Sequence, residues 1–279
     1  MANNINIILN SANYDSSRDV FSYRLPIPQT FVNRKVALSY CSIYKQFNNI
    51  SLEYNNSKIT ITWIDGVDYD ITIPDGNYTI SQINNFLQFY MVTNKLYLID
   101  ASNPTSLLFY LELVTNPTLY GSQFNFYPVP NAQLATTLGF IKPDGATWSL
   151  PSSKKNLQIS FNADFGSLIG FSGGNYGDAP HTNTSVNSDK TPQIAKVNSL
   201  LIRSNLVNNE ITIIPDILSA MDLAGDYGDL LVKSIGQLLY SNISANNFSE
   251  IIVYFSDQNF NKLKIKDTEV CINLSIVDI

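Results

Sequence analysis

Ionisable chemistry is what this chain has least of. Charged residues make up 14% of its 279 residues, against about 25% in an ordinary soluble protein. There is one histidine and there are two cysteines. A Ser-His-Asp or Cys-His arrangement would have to rest on His181 alone, and that residue stands in the polar run DAPHTNTSVNSD, which reads as a surface loop. A zinc site needs three or four ligands at a recognisable spacing, which one histidine and two distant cysteines do not supply. A basic arm is missing as well. With a net charge of −6, the chain lacks the Lys and Arg excess from which nucleic-acid binders draw their affinity, so no direct nucleic-acid binding is expected. No apolar run approaches the ~18 residues of a membrane span, and the start, MANNINIILNSAN, has neither the basic nor the long apolar region of a secretion signal. The expectation is a soluble product made inside a cell. Cys41 and Cys271, both in apolar strand-like runs, are then expected as buried free thiols.

What the chain has instead is hydrophobic residues, at 44%, diluted with Asn, Ser and Thr. Short runs rich in Ile, Val, Tyr, Phe and Thr recur between Asn, Gly, Pro and Asp punctuation, among them NINIILN (4–10), KVALSYCSIY (35–44), SKITITWI (57–64), YDITIP (69–74), LLFYLELV (107–114), NLQISFN (156–162), SEIIVYFSD (249–257), NKLKIKD (261–267) and EVCINLSIVD (269–278). Many short strands so spaced read as an all-β sandwich or barrel. One helix is predicted, over about 79–92: Ile80, Ile83, Phe86, Leu87, Tyr90 and Met91 fall at helical spacing, behind a capping box formed by Thr79 and Gln82. Residues 116–155 are rich in Pro and aromatics, with strands hard to place, and 173–191 reads as a polar exposed loop. No charge block or Gly/Ser tract marks a linker. One β-rich domain over 1–279 is expected, with 101–195 the candidate for an insertion or outward subdomain.

Four motifs bear on chemistry. The stretch FGSLIGFSGGNYGD (165–178) is glycine-rich but fits no phosphate-loop spacing, and it reads as turns around a buried Phe165, Leu168, Ile169, Phe171 cluster. Asp222, Asp226 and Asp229 are weak calcium candidates; their spacing departs from the twelve-residue calcium loop, and Asp and Gly are default turn residues. Lys262, Lys264 and Lys266 alternate with Leu263 and Ile265, which suits a solvated edge strand. Tyr120, Phe124, Phe126 and Tyr127, in the irregular aromatic stretch, are interface candidates whose alternative is ordinary core. No catalytic residue and no cofactor emerge.

Several stretches, in colinear order over most of the chain, resemble the penton or minor capsid proteins of polinton-like viruses and virophages. They are ILNSAN with FSYRLP, VALSYCSIY with NNISLEYNNSKITITW, IPDGNYTISQINNFLQFYM, YLELVTNPTLYGSQFNFYPVP, FGSLIGF with TPQIAKVNSLLIRSNLVNN, and IIVYFSDQNFNKLKIKDTEVCINLSI. Residues 212–240 have no counterpart in the resemblance. It implies a jelly-roll β-sandwich in the virion capsid, assembled as a pentamer against a major capsid protein, and no catalysis. Two other classes compete with it: a glycan- or receptor-binding sandwich of a spike or attachment protein, with Trp63 or Trp148 stacking on sugar, and a hydrolase built on paired carboxylates such as Asp226 and Asp229.

Overall fold

The computed structural model describes residues 4–178 and 181–278. They divide into two compact units, one made of the described residues up to Phe47 together with those from Val197 onward, the other of Asn48–Lys196.

The first unit contains eight principal strands: β1 (Ile5–Leu9), β2 (Val20–Thr30), β3 (Arg34–Tyr44), β4 (Ser199–Ser204), β5 (Ile217–Asp222), β6 (Leu230–Ser234), β7 (Asn247–Ser256) and β8 (Cys271–Asp278). Each strand of the first half pairs antiparallel with its mirror in the second: β1 with β8, β2 with β7, β3 with β6, β4 with β5. The remaining ladders join β8 to β3 and β7 to β4. The result is two sheets, ordered β1-β8-β3-β6 and β5-β4-β7-β2. A long antiparallel hairpin wrapped on itself in this order is a jelly roll. Its two inner faces share one apolar core, with Leu9, Phe21, Leu38, Ile43, Ile202, Phe255, Ile272 and Leu274 all buried.

Local sequence explains the strands. Alternation is clean in β4, where Leu200, Ile202 and Ser204 are buried and Ser199, Leu201 and Arg203 half-buried. In β3 the alternation changes phase. Val36 and Leu38 are buried, then Cys41 and Ile43, because the register against β8 slips between Asn273 and Leu274 and leaves Ser39 as the extra residue. The Ser39 hydroxyl donates to the Asn273 carbonyl at 2.9 Å, so the bulge is held by its own side chain. β2 was not legible as a strand, since Pro26 and Pro28 interrupt it. Its ladder to β7 jumps from Arg24↔Glu250 to Gln29↔Phe248, so both prolines sit in the stretch that donates nothing.

The second unit is inserted between β3 and β4 and has its own core. A four-stranded antiparallel sheet runs in the order Gly174–Tyr176, Gln158–Phe161, Lys58–Thr62, Asp68–Thr72. Two three-stranded sheets accompany it, Thr184–Asn187, Gly121–Phe126, Leu111–Asn116 and Phe140–Ile141, Leu98–Asp100, Asn103–Leu108. The predicted helix is present as α1 (Ile80–Thr93), with the Thr79 and Gln82 capping box formed and Ile80, Ile83, Leu87 and Met91 buried. Its Asn84 side chain also accepts from the Leu113 amide at 2.8 Å, tying the helix to a strand.

Several expectations need correction. One helix was expected, and among the described residues there are also α2 (Ala132–Leu138) and α3 (Ala163–Ile169). The stretch FGSLIGF is therefore mostly helix rather than turn. Asn162 caps it by accepting from the Phe165 amide, and Gly170 ends it in the left-handed conformation while the Phe171 amide donates back to the Gly166 carbonyl at 2.7 Å. LATTLGF ends the same way, at left-handed Gly139. The echo between the two stretches is a shared helix stop, with a Phe following each glycine. The region 173–191 is not all loop, because Gly174–Tyr176 and Thr184–Asn187 join sheets. NKLKIKD forms no strand beyond a single bridge at Lys262. It keeps its alternation, with Leu263 and Ile265 buried and the lysines exposed, without a ladder on either side. Of the thiols, Cys41 is buried but Cys271 only half-buried, and both are free.

The two helix stops make a matched test. A side chain at Gly139 meets nothing within 4 Å, whereas a Cβ at Gly170 lies 2.5 Å from the Lys190 carbonyl. Gly139→Ala should cost about 1 kcal/mol for left-handed backbone alone, and Gly170→Ala about 2–4 kcal/mol, strain plus clash. Urea denaturation of the two variants checks the order; equal losses would contradict the crowding at Gly170.

Candidate interaction surfaces

The residues singled out for chemistry lie apart or inside. Among the described residues no three His, Cys, Asp or Glu side chains gather where they could hold a metal. Asp229 of the calcium candidates is engaged in its own turn. Its carboxylate accepts from the Asp226 amide at 2.6 Å, and Lys45 donates to the neighbouring Gly225 carbonyl at 2.6 Å. Asp222 ends β5 opposite Ser199. His181, exposed, accepts from the Asn156 amide through Nδ1 at 3.3 Å and meets no nucleophile. Burial pushes the Cys41 thiol up to about 12, the opposite of an activated nucleophile.

The sugar-stacking tryptophans are corrected outright. Trp63 and Trp148 are both buried and pack edge to face on each other, ring centroids 5.3 Å apart. Trp148 donates its indole N–H to the Lys95 carbonyl at 2.8 Å. Neither presents a face to a ligand.

The four aromatic interface candidates separate by strand alternation. Phe124 and Phe126 point inward with Ser122 and are fully buried. Phe124 sits among Phe161, Phe171 and Tyr176, with ring centroids 5.0–6.5 Å away, so these two have no surface to offer a partner. Tyr120 caps a short 3-10 turn in left-handed backbone and is 82% exposed. Tyr127 lines a groove of about 460 Å³ with Leu107, Tyr110 and Phe140, its hydroxyl 3.5 Å from the Glu112 carboxylate.

Sequence reasoning passed over the most exposed large apolar side chains among the described residues. Ile211 and Ile213 are 96% and 98% exposed, on the loop that joins β4 to β5. The alternation in NNEITIIPD, with Ile at 211 and 213 either side of Thr212, was the available signal. The loop is stiffened by its own bonds. The Asn209 amide donates to the Pro215 carbonyl at 2.8 Å, and the Thr212 hydroxyl donates to the carbonyls of Asn209 and Ile214 at 3.1 and 2.8 Å. At its exit Asp216 pairs with Arg203 at 2.7 Å and accepts from the Tyr254 hydroxyl at 2.5 Å, while the Arg203 guanidinium lies 4.9 Å from the Tyr254 ring centroid. Burial first, and then the bond to Asp216, push the Tyr254 hydroxyl up to about 12.

A second surface with exposed apolar side chains lies on the same unit, a groove of about 370 Å³ between β1 and β2 lined by Ile5, Ile7, Ile8, Tyr23, Leu25 and Phe31 together with the polar Asn6, Gln29 and Arg34. Arg34 is paired with Asp278 at 2.8 Å. Among the described residues no helix is long and apolar enough to cross a membrane.

No family model matches the sequence, and no curated protein matches it. Among solved structures, the chain is similar to the mavirus penton protein, in a selenomethionine-labelled crystal form, at 10% identity over 99% of this chain and 98% of that one, with a TM-score of 0.43. It is also similar to a chain of the Sputnik virophage, in a cryo-EM structure at 3.5 Å, at 11% identity over 99% and 97% of the two chains, with a TM-score of 0.37.

The Tyr254 arrangement has a pH signature. A folded-state value of about 12, above the ordinary value near 10, stabilises the fold fully below pH ~10, and that stability is lost as pH rises toward the folded value. Urea midpoints measured from pH 8 to 12 should fall less steeply in Tyr254→Phe than in the wild type; identical slopes would show that the Tyr254 hydroxyl titrates alike in the folded and unfolded chain.

Proposed function

We propose that the chain is a structural virion protein, a penton or minor capsid subunit that self-assembles into a pentamer and contacts the major capsid protein. The observation that carries this reading is a jelly roll whose two sheets enclose an apolar core. Jelly rolls recur chiefly as capsid subunits, lectin domains and metal-binding barrels of the cupin kind. A cupin-like barrel holds its metal ligands inside, and among the described residues no three His, Cys, Asp or Glu side chains gather where they could hold a metal. The sugar-binding reading rested on Trp63 and Trp148, and both are buried. The capsid use needs neither, only a rigid sandwich with apolar surfaces to spend on neighbours.

The resemblance of the colinear stretches points the same way. So does the surface: with so few charges, neutral polar and apolar patches are available for protein contact, and interface centres are depleted in charge. The stretch 101–195, the candidate for an outward subdomain, falls within the inserted unit, residues 48–196. On this reading the protein acts in the virion and performs no catalysis.

The test is the mass of the purified full chain by native mass spectrometry over a concentration series, with negative-stain images of the same sample. Fivefold rings are expected. A particle that stays monomeric at the highest concentration reached would contradict the proposal.

A further inference from the structure

Two surface features of the sandwich match in exposed apolar side chains and in position. The first is the loop from Asn205 to Asp216, which displays Ile211 and Ile213 almost wholly to solvent. Their exposure is not a by-product of a loose loop, since backbone and Thr212 hydrogen bonds close it and the Asp216, Arg203 and Tyr254 cluster anchors its exit. Neither isoleucine packs against the fold it belongs to. A rigid loop with two bare isoleucines is preorganised for a contact, because little conformational entropy remains to be lost on docking.

The second is the groove between β1 and β2, whose apolar lining includes Ile8, itself 59% exposed. It is open because β1 ends its sheet and pairs on one side only, with β8. Glu210 stands beside the two isoleucines, and Arg34, already paired with Asp278, lines the groove, so the match between the two features is one of apolar surface and position.

The pairings fix where the two features lie. The end of β2 meets the start of β7 (Thr30↔Asn247), and β4 runs along β7 toward that same start, from Leu201↔Ser256 to Ser204↔Val253. The loop after β4 and the groove at the end of β2 therefore occupy one end of the sandwich. They lie at opposite lateral edges, the loop leading into β5 at the edge of one sheet and the groove bounded by β1 at the far edge of the other. Two different surfaces at one level on opposite sides join copies head to tail. Each docking leaves one groove and one loop open, so the step repeats until a ring closes.

We infer that the occupant of the groove is a second copy of this chain, whose Ile211 and Ile213 seat between β1 and β2 against Ile8. This rests on the reading that the chain self-assembles and names the surfaces that do it. The experiment uses the full chain in three forms: wild type, the double variant Ile211→Asp with Ile213→Asp, and the groove variant Ile8→Asp. Each variant alone should sediment as a monomer under conditions where the wild type forms rings, its half-assembly concentration raised roughly 100-fold or more by the loss of two buried isoleucines or by a charge in the groove. The melting temperature of the double variant should match that of a wild-type monomer, since both side chains are exposed. Mixed in equal amounts, the two variants should form a one-to-one dimer that grows no further, because only one intact loop and one intact groove remain. Rings formed by the double variant as readily as by the wild type would overturn this inference and leave the capsid reading standing, and so would a mixture that stays monomeric. A wild type that is monomeric throughout would overturn both.

Discussion

The pairing of the first strand with the last holds this molecule together. Ile5 to Leu9 and Ile272 to Ile276 lie side by side although more than 260 residues separate them in the chain. Every inner pairing of the jelly roll, β2 with β7, β3 with β6, β4 with β5, repeats that mirror relation. Along the chain, the partners of the three outer pairings are separated by the unit inserted between β3 and β4, which has its own sheets, helices and aromatic core. Such pairing is slow to find, since a long loop must be closed before any contact rewards it. An insertion that buries its own apolar surface first shortens the effective loop.

The division of labour between the two units follows from where apolar side chains could be left outside. The buried cluster of the jelly roll is a continuous set of apolar side chains that includes the silenced Cys41 thiol, and further apolar side chains are left outside on the loop after β4 and in the groove between β1 and β2. The tryptophans and the central phenylalanines hold up the inserted core. Low charge suits contact with other protein, because a surface of Asn, Thr and Ile carries few ions to desolvate.

Much of this was legible in the sequence, and the failures have physical reasons. The helix α1 was readable because its capping box and apolar spacing agree, two independent signals at one place. The strand β2 was hidden by Pro26 and Pro28, which are tolerated only because a register jump removes them from the ladder. The run KVALSYCSIY looked continuously apolar because a bulge at Ser39 moves the inward face from even to odd positions, and no sequence pattern announces a bulge. Gly166 and Gly170 disguised a helix as a turn: the first is required by the Phe171 carbonyl lying 2.5 Å from where a Cβ would be, the second by its left-handed cap. The candidate interface was half readable. Strict alternation from Gly121 to Phe126 would have assigned Phe124 and Phe126 to the core, whereas the exposure of Ile211 and Ile213 depends on a loop closure that local pattern does not reveal.

The central claim, that this jelly roll is a capsid building block, is tested most directly by locating the chain in assembled virus particles. Cryo-EM density of purified particles, fitted with the two units as separate bodies, should show five copies of the sandwich around each fivefold vertex or at another fixed position in the shell. Particles complete without any density for the chain, and free of it by mass spectrometry, would contradict the account.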